Sequence, residues 1–224
     1  MKNQQQGFTL IEIAIVLVII GLLLGGVLKG QELITSARVR NMISQQDGIK
    51  AAYFGFLDRY RALPGDYSAA TTNIKGATQN GDGNGQITGE EAIAAWDHLS
   101  HAGFINGSYV YTASTTNDTT TPKNPYAGYL QLVYDGYYGD ATSAAGSTNS
   151  TLRHNLKTGK QVPVSILAEV DRKIDDGNPY GGAFQVSGYD SVTIANCAVA
   201  AGSGTTASWK ISGEENNCGG ASIF

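Results

Sequence analysis

The architecture of this chain follows from residues 7–30, GFTLIEIAIVLVIIGLLLGGVLKG. A short polar leader precedes Gly7, and nearly every residue from Phe8 to Leu28 is apolar. At a rise of ~1.5 Å per residue, an α-helix over this run is long enough to cross a hydrocarbon layer of ~30 Å. The stretch therefore predicts an apolar helix that can span a membrane.

Two residues in this stretch do not suit a simple anchor or a secretory signal. Glu12 places a carboxyl group inside the apolar run, where an ionised side chain is costly and usually has a partner. A secretory signal has its small-residue cleavage site after the apolar run, whereas Gly7 lies before it. Cleavage after Gly7 would leave the apolar helix on the mature chain. The alternative is an ordinary N-terminal anchor that carries an isolated glutamate.

The leader, the Gly7-Phe8 junction, Glu12 and the apolar run together resemble the prepilin signature of type IV pilins and type II secretion pseudopilins. The resemblance implies that a membrane prepilin peptidase cuts between Gly7 and Phe8 and N-methylates Phe8. It also implies that Glu12 pairs with the free N-terminal amine of a neighbouring subunit during filament assembly. An ammonium group and a carboxylate that are both in lipid stabilise each other strongly.

The helix is predicted to continue beyond the apolar run. From Leu33 to Tyr60, apolar residues recur at helical spacing with charged residues between them, and Pro64 follows. We expect one helix over residues 8–62, whose second half packs against a globular head. The resulting segments are the leader (1–7), a membrane or filament-core helix (8–30), an amphipathic helix (31–62) and an extracellular or periplasmic head (63–224).

The head is predicted to be rich in loops and to contain β-structure. The chain has 29 glycines and 12 tyrosines, and only 15% of its residues are charged. Aromatic or alternating patterns between turn residues predict strands at 109–112, 126–138, 182–186, 191–195 and 207–211. Helices are expected at 90–101 and at the end of 162–171. The predicted fold class is α+β and pilin-like, with a long N-terminal α-helix packed against a small antiparallel sheet that carries long loops.

The two cysteines, Cys197 and Cys218, lie near the C-terminus. In an oxidising compartment they would most simply form one disulfide, and the alternative is a pair of reduced thiols. The family resemblance favours the bridge, because type IV pilins often close a C-terminal loop in this way.

A second motif, NGDGNGQITGEE at residues 80–91, matches the EF-hand calcium loop. Gly85 falls at the turn position and Ile87 at the apolar position. The ligand positions of the loop are occupied by Asn80, Asp82, Asn84, Gln86 and Glu91. Gln86 would bind through its backbone carbonyl. Asn80 stands where aspartate is usual, which should weaken binding. If Ca²⁺ binds, we expect it to have a structural role. The alternative is a turn before an N-capped helix, without a bound ion.

Several function classes find no support in the sequence. The formal net charge of −4 provides no basic footprint for nucleic acid. Nucleotide-binding and hydrolase motifs are missing, and His98, His101 and His154 have no spacing typical of a metal site. We therefore expect a chain that is not an enzyme.

Three functional hypotheses remain. The first is a structural subunit of a type IV pilus or related filament, anchored in the inner membrane as a precursor. The second is a periplasmic pseudopilin of a type II secretion system, and the third is a filament-tip adhesin or binding module that uses Thr- and Asn-rich loops. Many major pilins carry a proline at the position of Lys29, so its absence favours a minor pilin or a pseudopilin. The expected partners are prepilin peptidase and other pilin or pseudopilin subunits.

Overall fold

The computed structural model describes residues 9–139, 151–201 and 206–224. Its first element is the helix α1 (Leu10–Tyr60), 51 residues long. Arg61 follows with a positive φ of 53°, and its N–H donates to the Leu57 carbonyl at 2.9 Å. A residue in the left-handed conformation thus ends the helix shortly before Pro64. The long N-terminal helix predicted from the apolar run is confirmed over the described residues.

Contacts divide the chain into two compact units, of which one ends at Arg38 and the other comprises Val39–Phe224. The first unit contains the apolar part of α1, which is long and apolar enough to cross a membrane. Large apolar side chains are exposed all along it; Leu10 is 92% exposed and Leu22 is 73% exposed. An apolar surface of this extent requires lipid or other apolar chains as its surroundings.

The part of α1 in the second unit is amphipathic. Its buried residues follow helical spacing and are Val39, Met42, Gln46, Ile49, Ala52, Tyr53 and Phe56. Leu33 and Ile34 belong to the same apolar stripe by their spacing, yet they are 63% and 56% exposed. Helical periodicity identifies an apolar face, but it does not show which residues of that face are buried.

Within the described residues, the head has four further α-helices and six short strands. The helices are α2 (Ala70–Asn73), α3 (Glu91–His101), α4 (Val164–Ile174) and α5 (Ile194–Cys197). The strands are β1 (Gln131–Asp135), β2 (Arg153–Lys157), β3 (Phe184–Val186), β4 (Ala198–Val199), β5 (Ser208–Trp209) and β6 (Gly220–Ile223). A four-stranded antiparallel sheet has the order β1-β2-β6-β3, and β4 pairs with β5. The predicted α+β, pilin-like fold class is confirmed.

In the described part of the head, the buried apolar residues form two clusters. Val39 and Met42 of α1 belong to a cluster with Leu167 of α4 and Phe184 of β3. Further along α1, Ile49 to Phe56 join a second cluster that contains Trp96 of α3, Leu132 of β1 and Leu156 of β2. One face of the helix therefore supports both halves of the head.

The strand predictions were partly right. The ranges 126–138, 182–186 and 207–211 contain β1, β3 and β5. Two predictions were wrong, because 109–112 forms no strand and 191–195 falls in a 3-10 turn and in α5. The two central strands were missed. β2 reads RHNLK, a polar pattern whose Asn155 and Lys157 become buried through long-range pairing.

The disulfide predicted from the cysteine count is present between Cys197 and Cys218, whose Cα atoms are 5.7 Å apart. Both cysteines are fully buried, and the backbone of Cys218 pairs with that of Val162 just before α4. The bridge thus ties α5 and the segment that holds β4 and β5 to the core of the head.

A buried polar contact links β5 to α4. The indole Nε1 of Trp209 donates a hydrogen bond to Oδ2 of Asp171 at 2.7 Å. Burial raises the pKa of the Asp171 carboxyl to about 6, and the nearby charges of Asp176 and Asp175 act in the same direction. The hydrogen bonds from Trp209 and from the Gly177 backbone oppose this rise.

Candidate functional site

The N-terminus of α1 carries the prepilin-type residues. Gly7 and Phe8 lie outside the described residues. Thr9 and Glu12 form a capping box: the N–H and the hydroxyl of Thr9 donate to Oε2 of Glu12 at 2.8 and 2.7 Å, and the Glu12 N–H donates to Thr9 Oγ1 at 3.3 Å. This local role of Glu12 was not predicted, although the T-x-x-E spacing was the signal for it.

The glycines of the apolar segment have no structural reason within the described part of the chain. A Cβ atom added to Gly21, Gly25, Gly26 or Gly30 would meet nothing within 4 Å. Between Gly26 and Gly30, Lys29 forms an exposed ion pair with Glu32 at 2.7 Å. Small residues on an apolar helix allow another helix to approach closely.

The segment that matches the EF-hand loop, residues 80–91, is called the acidic loop here; it follows the turn after α1 and leads into α3. Asp82 and Glu91 are brought together, as the sequence predicted, and they are joined by Asp66. One carboxylate oxygen from each of the three lies within 4.8 Å of the others. Asp66 was missed because it lies in the turn after α1, outside the EF-hand window. Gly81 permits its approach, since a Cβ there would come within 2.2 Å of the Asp66 backbone.

Asp66 organises the backbone of this loop. Its side chain is buried, and its two carboxylate oxygens accept the N–H groups of Asn84 at 2.8 Å and Gly85 at 3.0 Å. Burial raises the pKa of this carboxyl, and the hydrogen bonds from Gly85 and Asn84 counteract the rise. An acidic group that is buried and surrounded by backbone amides holds the loop in one conformation.

The other predicted ligands are placed differently. The Asn80 side-chain oxygen accepts the Thr71 N–H at 2.9 Å. Asn84 accepts the Gln86 N–H at 2.7 Å, and its amide donates to Asp82 Oδ2 at 2.8 Å. The two Glu91 oxygens accept the N–H groups of Asp82 and Thr88, both at 3.0 Å. The sequence-predicted pair Asp82 and Glu91 is therefore grouped with Asp66, whereas the Asn80 side chain bonds outside the cluster.

The donor set fits a hard cation. All three clustered side chains offer carboxylate oxygens, which Ca²⁺ prefers over nitrogen or sulfur. None of the ion pairs formed within the described ranges involves Asp66, Asp82 or Glu91, so no basic side chain occupies the place of a cation. The loop is anchored to the sheet as well, since the Tyr134 N–H donates to the Ile87 carbonyl at 2.7 Å.

The histidines serve packing in the head. His98 is fully buried; it accepts the Gly65 N–H on Nδ1 at 2.9 Å, so its Nε2 carries the proton that faces the Gln79 carbonyl at 2.7 Å. Burial lowers the His98 pKa, which favours this neutral form. His101 contacts Asp97 at 2.6 Å, and the His154 ring lies 4.9 Å from that of Tyr134.

Comparison with known proteins bears on the N-terminal segment. The family described as the prokaryotic N-terminal methylation motif matches residues 2–28. No curated protein and no solved structure matches the chain. The matched range covers the leader, the Gly7-Phe8 junction, Glu12 and the apolar run, and the motif points to a structural subunit that is processed and methylated. Joined to a pilin-like α+β fold, it shows that this chain carries the prepilin signature of type IV pilins and pseudopilins.

Proposed function

We propose that the chain is a structural subunit of a type IV pilus or pilus-like filament. The observation that carries the proposal is the methylation motif at residues 2–28, which leads directly into an apolar helix with exposed side chains. In the precursor this helix lies in the inner membrane. In the filament the same surface is covered by the equivalent helices of other subunits.

Processing converts the anchor into an assembly element. Cleavage after Gly7 by prepilin peptidase removes the polar leader and creates an amine at Phe8, next to the capping box of Thr9 and Glu12. The Glu12 carboxylate of one subunit then pairs with the amine of its neighbour in an environment without water. Such a pair favours entry of a processed subunit over that of a precursor, which has no amine at this position.

Processing is tested by the mass of the mature protein. In cells that contain prepilin peptidase, we expect the chain to begin at methylated Phe8, and Gly7→Val to accumulate as unprocessed, membrane-inserted precursor. Gly26→Ala is the matched control, because a Cβ there meets open space and the residue lies far from the cleavage site. A wild-type chain that keeps its leader would contradict the proposal.

The phenotype of a strain that lacks the chain distinguishes a pilus subunit from a secretion pseudopilin. A pilus subunit is recovered in filaments sheared from the cell surface, and its loss removes or shortens those filaments. A pseudopilin is retained in the envelope, and its loss stops the export of folded proteins. We infer the first outcome, and a secretion defect with intact surface filaments would favour the alternative.

We also propose that Asp66, Asp82 and Glu91 bind a structural Ca²⁺ ion. Their common location and the EF-hand register of residues 80–91 support this assignment. The Asp66 carboxylate comes from outside the loop. It would take the role of the first EF-hand ligand, whose position in this sequence is Asn80. The ion would connect the turn after α1 to the start of α3.

Calcium should stabilise the protein through Glu91. At a Ca²⁺ concentration ten times the dissociation constant, we expect about 1.4 kcal/mol of added stability, a melting-temperature increase of roughly 3–6 °C. Glu91→Gln should reduce this response, whereas Glu90→Gln should keep it, because Glu90 bonds to Ser114 outside the cluster. Melting curves and calorimetric titrations with Ca²⁺ and chelator measure both effects. Identical titrations for Glu91→Gln and the wild type would contradict the assignment.

A further inference from the structure

A second acidic cluster lies at the C-terminal end of α4. Asp171 belongs to the last turns of this helix, and Asp175 and Asp176 begin the loop that follows. One carboxylate oxygen from each residue lies within 4.8 Å of the others. Asp171 is fully buried, Asp175 is half-buried and Asp176 is exposed, so the cluster extends from the core to the surface.

The buried member of this cluster has an oxygen without a partner. Oδ2 of Asp171 accepts the indole N–H of Trp209 at 2.7 Å, but Oδ1 is buried and has no hydrogen-bond donor. The Gly177 backbone also donates towards this carboxyl, but Oδ1 itself has no partner. A buried carboxylate oxygen with no donor is destabilising unless a cation satisfies it.

The charge of the cluster is not balanced by the basic residues beside it. Arg172 and Lys173 follow Asp171 on α4, but both form ion pairs with Glu169, at 3.3 and 3.2 Å. Across the described ranges, no ion pair involves any of the three clustered aspartates. Three carboxylates in such proximity repel one another, and this repulsion is relieved by a bound cation.

The loop after α4 holds the Asp175 carboxylate close to the backbone of Gly182 and Ala183. Its carboxylate accepts the N–H of Ala183 and lies against Gly182. A Cβ atom at Gly182 would come within 1.7 Å of Asp175 Oδ2, and the φ of this glycine is +73°. Any other residue at 182 would displace the carboxylate from the cluster.

We propose that Asp171, Asp175 and Asp176 form a second cation site, which binds Ca²⁺ through carboxylate oxygens. An oxygen-only donor set selects a hard divalent cation over the transition metals that favour nitrogen and sulfur. The ion supplies the partner that Asp171 Oδ1 lacks. Through the bond between Asp171 and Trp209 it couples the end of α4 to β5, inside the loop closed by the disulfide. The choice of Ca²⁺ rests on the proposed exported location of the head, whereas the site itself is independent of filament assembly and of Glu91.

Calorimetric titration of the full-length protein in detergent, stripped with chelator, tests the site. We expect two Ca²⁺ ions per wild-type chain and one in Glu91→Gln. In that background, Asp175→Asn or Asp176→Asn should weaken the remaining site by about tenfold or more, because one of its three negative charges is lost. Asp58→Asn, which removes an exposed charge near the end of α1, should leave the affinity unchanged, because Asp58 pairs with Arg61 outside the cluster.

Terbium luminescence provides a local readout that does not depend on the stoichiometry. The chain has two tryptophans, and in Trp96→Phe the remaining one is Trp209, which bonds directly to Asp171. Tb³⁺ bound at the cluster should emit on tryptophan excitation, Ca²⁺ should displace it, and Asp176→Asn should require about tenfold more Tb³⁺ for the same signal. If no sensitised emission occurs in a folded Trp96→Phe protein, or if Asp176→Asn leaves the Tb³⁺ titration unchanged, the second site is overturned. Processing and the Glu91-dependent titration would be unaffected by that result.

Discussion

Glu12→Gln is expected to abolish incorporation into filaments, whereas Thr9→Val leaves incorporation close to the wild-type level. Glutamine retains a side-chain oxygen that can accept the two Thr9 bonds, so the capping box persists while the charge is lost. Valine removes the Thr9 hydroxyl and keeps the Glu12 charge. The two variants therefore separate the local capping role of Glu12 from its pairing with a neighbouring amine.

The expected effect of Glu12→Gln is large because the environment is apolar. Loss of one member of a buried ion pair costs about 3–5 kcal/mol, since the other charge is left without a partner. That cost lowers the affinity of each subunit contact by on the order of a hundredfold or more. Exposed caps contribute only about 1 kcal/mol, so Thr9→Val should have a minor effect.

Fractionation of cells provides the measurement. Glu12→Gln should be processed, methylated and present in the membrane at normal amounts, but missing from the sheared filament fraction. Thr9→Val serves as the control for folding of the helix N-terminus. Normal assembly of Glu12→Gln would contradict the charge-pairing role of Glu12. An equally complete loss of assembly in Thr9→Val would also contradict it.

Removing the disulfide with Cys197→Ser and Cys218→Ser together should strongly destabilise the head. The bridge spans a sequence separation of 21 residues. A loop of that length contributes about 3 kcal/mol by restricting the unfolded chain. For a domain of this size, we expect the melting temperature to fall by roughly 6–12 °C. The segment with β4 and β5 should loosen first, because it loses the covalent bridge to the core. The hydrogen bond between Trp209 and Asp171 would remain as a weaker connection.

Thermal unfolding under oxidising and reducing conditions checks this prediction. Reductant should bring the wild-type protein to the melting temperature of the double variant and should leave the double variant unchanged. Amide hydrogen exchange should report faster opening in β4 and β5 than in β2 and β6, which form the centre of the main sheet. Equal melting temperatures for the wild type and the double variant would refute the stabilising role.

Local sequence patterns were sufficient for the helix, the disulfide and the N-terminal motif. The helix α1 could be predicted because apolar content and helical spacing act between residues a turn apart. The disulfide could be predicted because the chain offers only two cysteines. The helix α3 was also predictable from its own spacing and from the glycine that follows it. In each case the information lies within the segment itself.

Long-range packing produced the features that the sequence patterns did not indicate. β2 and β6 lack strand-like patterns, and they become the central strands because their neighbours supply hydrogen bonds and cover. Asp66 reaches the acidic loop only because the chain turns back after α1. Asp171 acquires Trp209 as a partner from a distant strand. Proximity of this kind depends on how the whole chain folds. The N-terminal motif and the register of residues 80–91 can therefore be identified from the sequence, whereas the positions of Asp66 and Trp209 beside their partners depend on the tertiary structure.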